Sequence, residues 1–435
     1  MPASEKRMST RKILMLLSMG ILAISFVFGF RIHSSIEGRW SAMEKRMEEM
    51  IAEARSRDAR RPVLQGTATP GNAWDDYGEA VTTFRKLLAS VPRGMTLLAE
   101  LRNRIPKAMN SPSDQVKVSA LLDSLKVVFD GLRKGSFRSE SQYPYDWEHL
   151  DLVIPQDSPV SSRGEWLANA AALEARRLVD SGHVKEAVEL LLATAQFGRD
   201  LRHNGLVVSE LIGRAICLIA LDELREMILS GKLDRERLLD VVLGLEVLDR
   251  SFTQGSFCLR NQALAIGKMC LRGELFKAKQ VFADPDPVTI KASWRQAFSS
   301  RLLQADAFFR LEDWSRRLAK AEQWSYAEER RVLDEITAEA APNPLAMFFN
   351  RVPGNLSATR RCCLAQLRLV RAAARYRATG VVLQLDDPFA STLRHSLTGS
   401  RLKVWSVGKD GVDDGGQGDW GHPYQTKDIV LEVER

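Results

Sequence analysis

Residues Ile13–Phe30 read ILMLLSMGILAISFVFGF, and the reading of this stretch decides how the rest of the chain is organised. It holds eighteen residues without a charge, at the short end of what crosses a hydrocarbon core about 30 Å thick as a helix. A cleaved secretory signal would carry an apolar region of about 7–15 residues and then a small-residue cleavage site. Here the run is longer and ends in Phe28-Gly29-Phe30-Arg31-Ile32-His33, so the expectation is an uncleaved signal anchor that meets membrane lipid through residues 13–30. Residues 1–12 then form a cytoplasmic tail. Lys6, Arg7, Arg11 and Lys12 crowd that side against Glu5 alone, while Arg31, Arg39, Lys45 and Arg46 follow the run. The positive-inside count is nearly tied, but the N-terminal cluster is denser and long domains translocate largely regardless of charge. The body is expected outside.

Outward from the anchor, the apolar positions are Ile36, Trp40, Met43, Met47, Met50 and Ala54, spaced 4-3-4-3-4. That is a heptad seam on a juxtamembrane helix over 31–61. The seam over 36–54 fits a homodimer stalk, another protein partner, or a helix laid against the body. Arg60-Arg61-Pro62 closes it, because proline removes a donor and pushes its predecessor out of the helical region.

A helical body is expected over 62–350. After an extended linker from Gln65 to Gly71, Asn72 caps a helix with a buried stripe of Trp74, Tyr77, Val81, Phe84 and Leu88. A second helix follows Pro112, and Tyr143 to His149 lie in a connector over 136–160. Glu165 to Arg202 forms a hairpin turned at Asp180-Ser181-Gly182-His183, and the run from Ala175 through Gly182 to Glu186-Ala187 resembles one tetratricopeptide hairpin. Leu206 to Ile228 is apolar nearly all round, and Glu210 and Arg214 inside it mark a central buried helix, not a second span. Asp234 caps the next helix. Further helical patterns cover Cys258–Phe282, Val288–Phe309 and Leu311–Ala341, divided at Asp284-Pro285-Asp286-Pro287 and closed by Pro342.

Composition narrows the function class. The hydrophobic share of 45% supports packed cores. The net charge of +7 comes from arginines interleaved with acids on helix faces, a solvated surface, with anionic lipid head groups as the alternative contact. No Lys/Arg tract with interleaved aromatics exists, which excludes nucleic acid as a partner. The five cysteines have no C-x-x-C spacing and read as buried free thiols. No metalloprotease, serine-hydrolase, phosphate-loop or dinucleotide motif occurs, and the six histidines are scattered.

Residues 351–435 change character. A helix from Leu356 to Thr379 is followed by β-type runs at Val381–Leu385, Leu393–Leu397, Leu402–Val407 and Ile429–Val433, a small antiparallel meander. The expected fold is mainly α: an N-terminal transmembrane helix, an irregular multi-helix body and this C-terminal β segment with its Asp/Gly-rich loop.

Within the segment, Asp387-Pro388-Phe389, then Ser406-Val407-Gly408-Lys409-Asp410-Gly411, Gly415-Gly416 and Asp428-Ile429 resemble the C-terminal loop of type II secretion major pseudopilins. The same residues resemble the ending of uncharacterised, membrane-anchored bacterial proteins of the planctomycete type. Gly29-Phe30 ends the apolar helix here instead of preceding it, unlike a prepilin, so assembly into a fibre is not implied. The resemblance implies a bacterial inner-membrane, single-pass protein with an extracytoplasmic C-terminal body. It also implies Ca²⁺ held by Asp410 and Asp428, with Asp413 and Asp414 as alternates supplied by this chain. A solvated Asp-Gly turn is the competing account. The role read from the sequence is a scaffold or partner-binding ectodomain, without a recognisable catalytic site. The alternative is an envelope hydrolase or other enzyme.

Overall fold

The computed structural model describes the backbone of residues 10–57, 59–64, 66–90, 112–147, 163–203, 205–252, 255–272, 300–323, 325–340, 343, 351–421 and 427–435. Helix α1 (Thr10–Arg55) leads into strand β1 (Thr69–Asn72), then α2 (Ala73–Ser90), α3 (Pro112–Ser124), α4 (Lys126–Ser136) and β2 (Arg138–Glu140). The central helices are α5 (Arg163–Asp180), α6 (Val184–Arg202), α7 (Val207–Leu229), α8 (Arg235–Arg250) and α9 (Gly255–Leu271). They are followed by α10 (Arg301–Ala321), α11 (Tyr326–Ala340) and α12 (Arg351–Thr379), and by strands β3 (Arg394–Thr398), β4 (Arg401–Ser406) and β5 (Ile429–Glu434). The chain is mainly helical with a small three-stranded antiparallel sheet, order β3-β4-β5.

The side chains of residues 10–30 lie outside the described residues, and so does the expected burial of 13–30 in lipid. Among the described residues no helix is long and apolar enough to cross a membrane. What is described is one unbroken helix from Thr10 to Arg55. Its seam faces inward: Trp40, Met43, Met47, Met50 and Ala54 are buried in one core with residues of α9, α10 and α11. Of the three accounts of the 36–54 seam, a helix laid against the body is the one observed. The stripe is filled from within the same chain, and Arg46, bonded to Glu312 at 2.7 Å, fixes its register on α10. The helix stops at Arg55, short of Pro62. Past it Arg60 bridges Glu140, and the Arg61 amide donates to the Ser139 carbonyl at 3.0 Å.

A second core is aromatic and draws on α2–α7, with Trp74, Tyr77, Phe84, Phe129 and Phe197 at its centre. Asn72 starts α2 as expected, its side chain accepting from the Trp74 amide at 3.3 Å. The segments read as linker and connector hold more order than expected, because β1 and β2 pair in parallel. Strands this short carry no alternating pattern to betray them.

The third and largest core joins α5–α8, α12 and the sheet. The expected α5–α6 hairpin is present, with Gly182 at φ 83 in its turn. Helix α7 is the buried central helix. Its Glu210, 1% exposed, accepts from Arg202 Nε at 2.9 Å. Gly198 and Gly213 let α6 and α7 touch backbone to backbone, since a Cβ at either would collide with the other's carbonyl oxygen.

Two expected helices differ. Leu311–Ala341 is divided at residues 322–325, where Ser325 and Glu328 form a reciprocal cap: the Glu328 amide donates to Ser325 Oγ at 3.3 Å and the Ser325 amide to Glu328 Oε2 at 3.0 Å. The S-x-x-E spacing that announces such a cap is present in the chain. The pattern begun at Val288 starts as a described helix only at Arg301, after its cap Ser300; the Asp284-Pro285-Asp286-Pro287 break and Pro342 lie outside the described residues.

Val381–Leu385 forms no strand. Gly380, at φ 73, turns the chain off α12, and Val382 and Leu385 pack onto the core. The Leu385 carbonyl accepts from the Leu393 amide at 2.9 Å. The β-prone residues there fit a half-buried surface without needing a ladder.

Candidate functional site

The four aspartates singled out by the sequence sit in one loop between β4 and β5. Gly408 and Gly411, at φ 70 and 73, begin it, and Gly408 is packed so closely on the Lys427 carbonyl that no side chain fits. Asp428, 1% exposed, accepts from the Gly416 amide at 2.7 Å and the Asp414 amide at 3.4 Å. Burial pushes its carboxyl above the ordinary range, and these two bonds oppose the shift. Asp413 accepts from Trp405 Nε1 at 2.9 Å and from the Gly415 amide at 3.0 Å, and pairs with Arg394 at 3.3 Å. The Trp405 indole, with the Gly415 amide, holds it below that range. Asp410 closes its own turn on the Val412 amide at 3.1 Å.

This is a loop in which carboxylates bind N–H groups. Calcium requires six to eight oxygens converging at about 2.3–2.6 Å. Asp428 instead turns inward onto amides, and Asp413 turns onto an indole and a guanidinium. Among the described residues no group of three or more His, Cys, Asp or Glu side chains is arranged to hold a metal ion. The donor set of Asp410, Asp413, Asp414 and Asp428 therefore does not fit a calcium cage as it stands.

A second carboxylate pins the same module from the other end. Asp387, 3% exposed, accepts from the Phe389 amide at 2.9 Å, Ser406 Oγ at 2.7 Å and the Val407 amide at 2.9 Å. Burial raises its carboxyl, against those bonds. The turn it forms is bolted to the helices beneath. Arg361 donates to the Pro388 carbonyl and to Glu329 Oε2 at 2.6 Å, and Phe389 meets Tyr326 edge-on with centroids 4.9 Å apart.

Next to the loop lies an open cleft of about 1020 Å³ between the end of α5, the second half of α7 and Asp419-Trp420-Gly421. The Trp420 indole donates to the Asp222 carboxylate, Arg225 lies 5.1 Å over its ring, and Gln366 donates to its carbonyl at 3.3 Å. Arg176 grips Glu223 through both oxygens at 2.7 and 2.8 Å, and Lys232 meets Asp180 at 2.7 Å. Burial raises both Asp222 and Glu223, the indole opposing it at Asp222 and Arg176 at Glu223. A carboxylate acting as general acid or base must reach the proton it moves; in this structure these two are engaged by an indole and a guanidinium. The sequence gives no sign that Trp420 has a partner on α7. His149 and His422 lie outside the described residues.

None of the five cysteines forms a disulfide, and all five are buried. Burial pushes the thiols of Cys270 and Cys362 up to about 12, which keeps them protonated and unreactive. Comparison with protein-family models, curated proteins and solved structures finds no match.

Proposed function

We propose that the chain is a single-pass membrane-anchored envelope protein whose helical body acts as a scaffold or partner-binding ectodomain. The observation that carries this reading is the continuity of α1. The apolar run Ile13–Phe30 and the seam buried in the body belong to one helix, Thr10–Arg55. An anchor joined in this way holds the body in a set orientation instead of trailing it on a flexible linker. The cation cluster Lys6, Arg7, Arg11 and Lys12 supports a cytoplasmic N-terminus. The cleft beside Trp420 supports binding over catalysis, since its carboxylates serve as acceptors within internal pairs.

Fractionation with an alkaline carbonate wash, followed by protease added to intact spheroplasts, tests the reading. The chain is expected in the washed membrane pellet at full mass, with the body digested from outside. Recovery of a soluble chain starting near residue 30, or full protection of the body, overturns it.

A further inference from the structure

The directions of the helices packed on α1 determine which end of the body lies nearest residue 30. Helix α9 runs back toward the apolar run, because its Arg260 pairs with Glu53 while Gly267 lies against Met47. Helix α10 runs away from it: Arg301 meets Glu37 at 3.1 Å and Glu312 meets Arg46 at 2.7 Å. The end of α9 and the start of α10 therefore share one end of the body with residues 31–39 of α1.

That end carries arginines. Arg31, Arg39, Arg272 and Arg301 are exposed, and the Arg301 guanidinium lies 5.1 Å over the Trp40 ring. At about 1.5 Å per residue, Arg39 stands roughly 14 Å beyond Phe30 along the helix. The head-group layer takes up about 5–8 Å of that distance, and charges act across about 8 Å at physiological salt. Arg31 then falls inside the layer, and Arg39 and Arg301 fall within reach of its surface. The pairs that hold them lie at the surface. The Arg39–Asp306 separation is 3.7 Å, and the side chains of Arg39 and Arg301 are 54% and 56% exposed, so lipid phosphates compete with weak surface pairs.

We propose that this end of the body is a contact surface for anionic lipid head groups, holding the ectodomain upright against the bilayer that α1 crosses. The inference rests on the anchor reading. Its chemistry is attraction of lipid phosphates by surface cations next to an indole at the interface.

The test uses the full chain reconstituted into vesicles of phosphatidylcholine alone and into vesicles with about a third phosphatidylglycerol. Amide hydrogen exchange is read over residues 31–45 and 300–306. The expected result is several-fold slower exchange in the anionic vesicles, abolished by high salt and by Arg39→Gln with Arg301→Gln, and restored by Lys at both positions. A chain that stays embedded after carbonate washing yet exchanges equally in both lipids overturns this inference alone. So does slowing that survives the double Gln variant. A chain that washes off both vesicles overturns the anchor reading and this inference with it.

Discussion

At Asp387 one carboxylate satisfies two backbone amides and a hydroxyl from two separate turns. Removing it leaves the Val407 and Phe389 amides buried without an acceptor, at a cost of about 1–3 kcal/mol each. Asp387→Ala is expected to destabilise the body by roughly 2–4 kcal/mol, read as a lower urea midpoint. Ser406→Ala, which removes one hydroxyl donor, is expected to cost less. The pH dependence of the neighbouring carboxylates has opposite signs. Asp428 is raised above the ordinary aspartate value of 3.8 by burial, so its folded form holds a proton more tightly than its unfolded form. Its stabilising contribution is complete below 3.8 and is lost as pH rises through the raised value. Asp413, lowered by its indole and amide donors, contributes above 3.8 and loses that contribution as pH falls through the lowered value. Melting curves of wild type and Asp428→Asn from about pH 4 to about pH 7 check this. The difference is expected to move in favour of the variant as pH rises, and parallel curves would contradict the assignment.

Among the elements, α1 separates what could be read from the chain and what could not. Its 4-3-4-3-4 stripe was plain in Trp40, Met43, Met47 and Met50, but a methionine-rich stripe fits many grooves, and nothing in it names α9 and α10 as its cover. Asp and Gly between β4 and β5 were equally plain. The direction of each carboxylate was not, because an ion cage and an amide-capped turn use the same residues. Strands β3 to β5 fall within β-type runs set apart by turn residues and were legible. β1 and β2 were too short to read, and Val381–Leu385 had strand composition without a ladder. The Trp420–Asp222 bond joins residues 198 positions apart and leaves no local trace. A prediction belongs here: Met47→Ala empties a site that is 2% exposed and is expected to cost about 2–5 kcal/mol. Because the cover comes from the same chain, the melting temperature should not change with protein concentration. A concentration-dependent Tm would point back to a dimer seam.

The described residues form three cores tied together by α6 and α7, which supply Leu191 and Leu221 to the largest, Phe197 and Ile216 to the aromatic one, and Val207 to the core that takes in α1. Ligand-linked stabilisation of any one core should therefore register in the melting of the body. Since Asp410, Asp413 and Asp428 accept from N–H donors, millimolar calcium and EGTA are expected to give coincident unfolding curves. A rise in Tm with calcium that Asp428→Ala abolishes would show that the loop rearranges to take the ion.

The same arrangement fixes an order of events during synthesis. The largest core contains both Leu64 and Val433, so it cannot close until the ribosome has passed nearly the full span between them. Of the described elements α1 is made before the body, and the sheet that covers α12 is made after it. Contacts of such long range form slowly, and until β4 and β5 arrive the face of α12 that they cover stands open. A nascent chain of this kind waits, incomplete, in a state that invites chaperones and proteases.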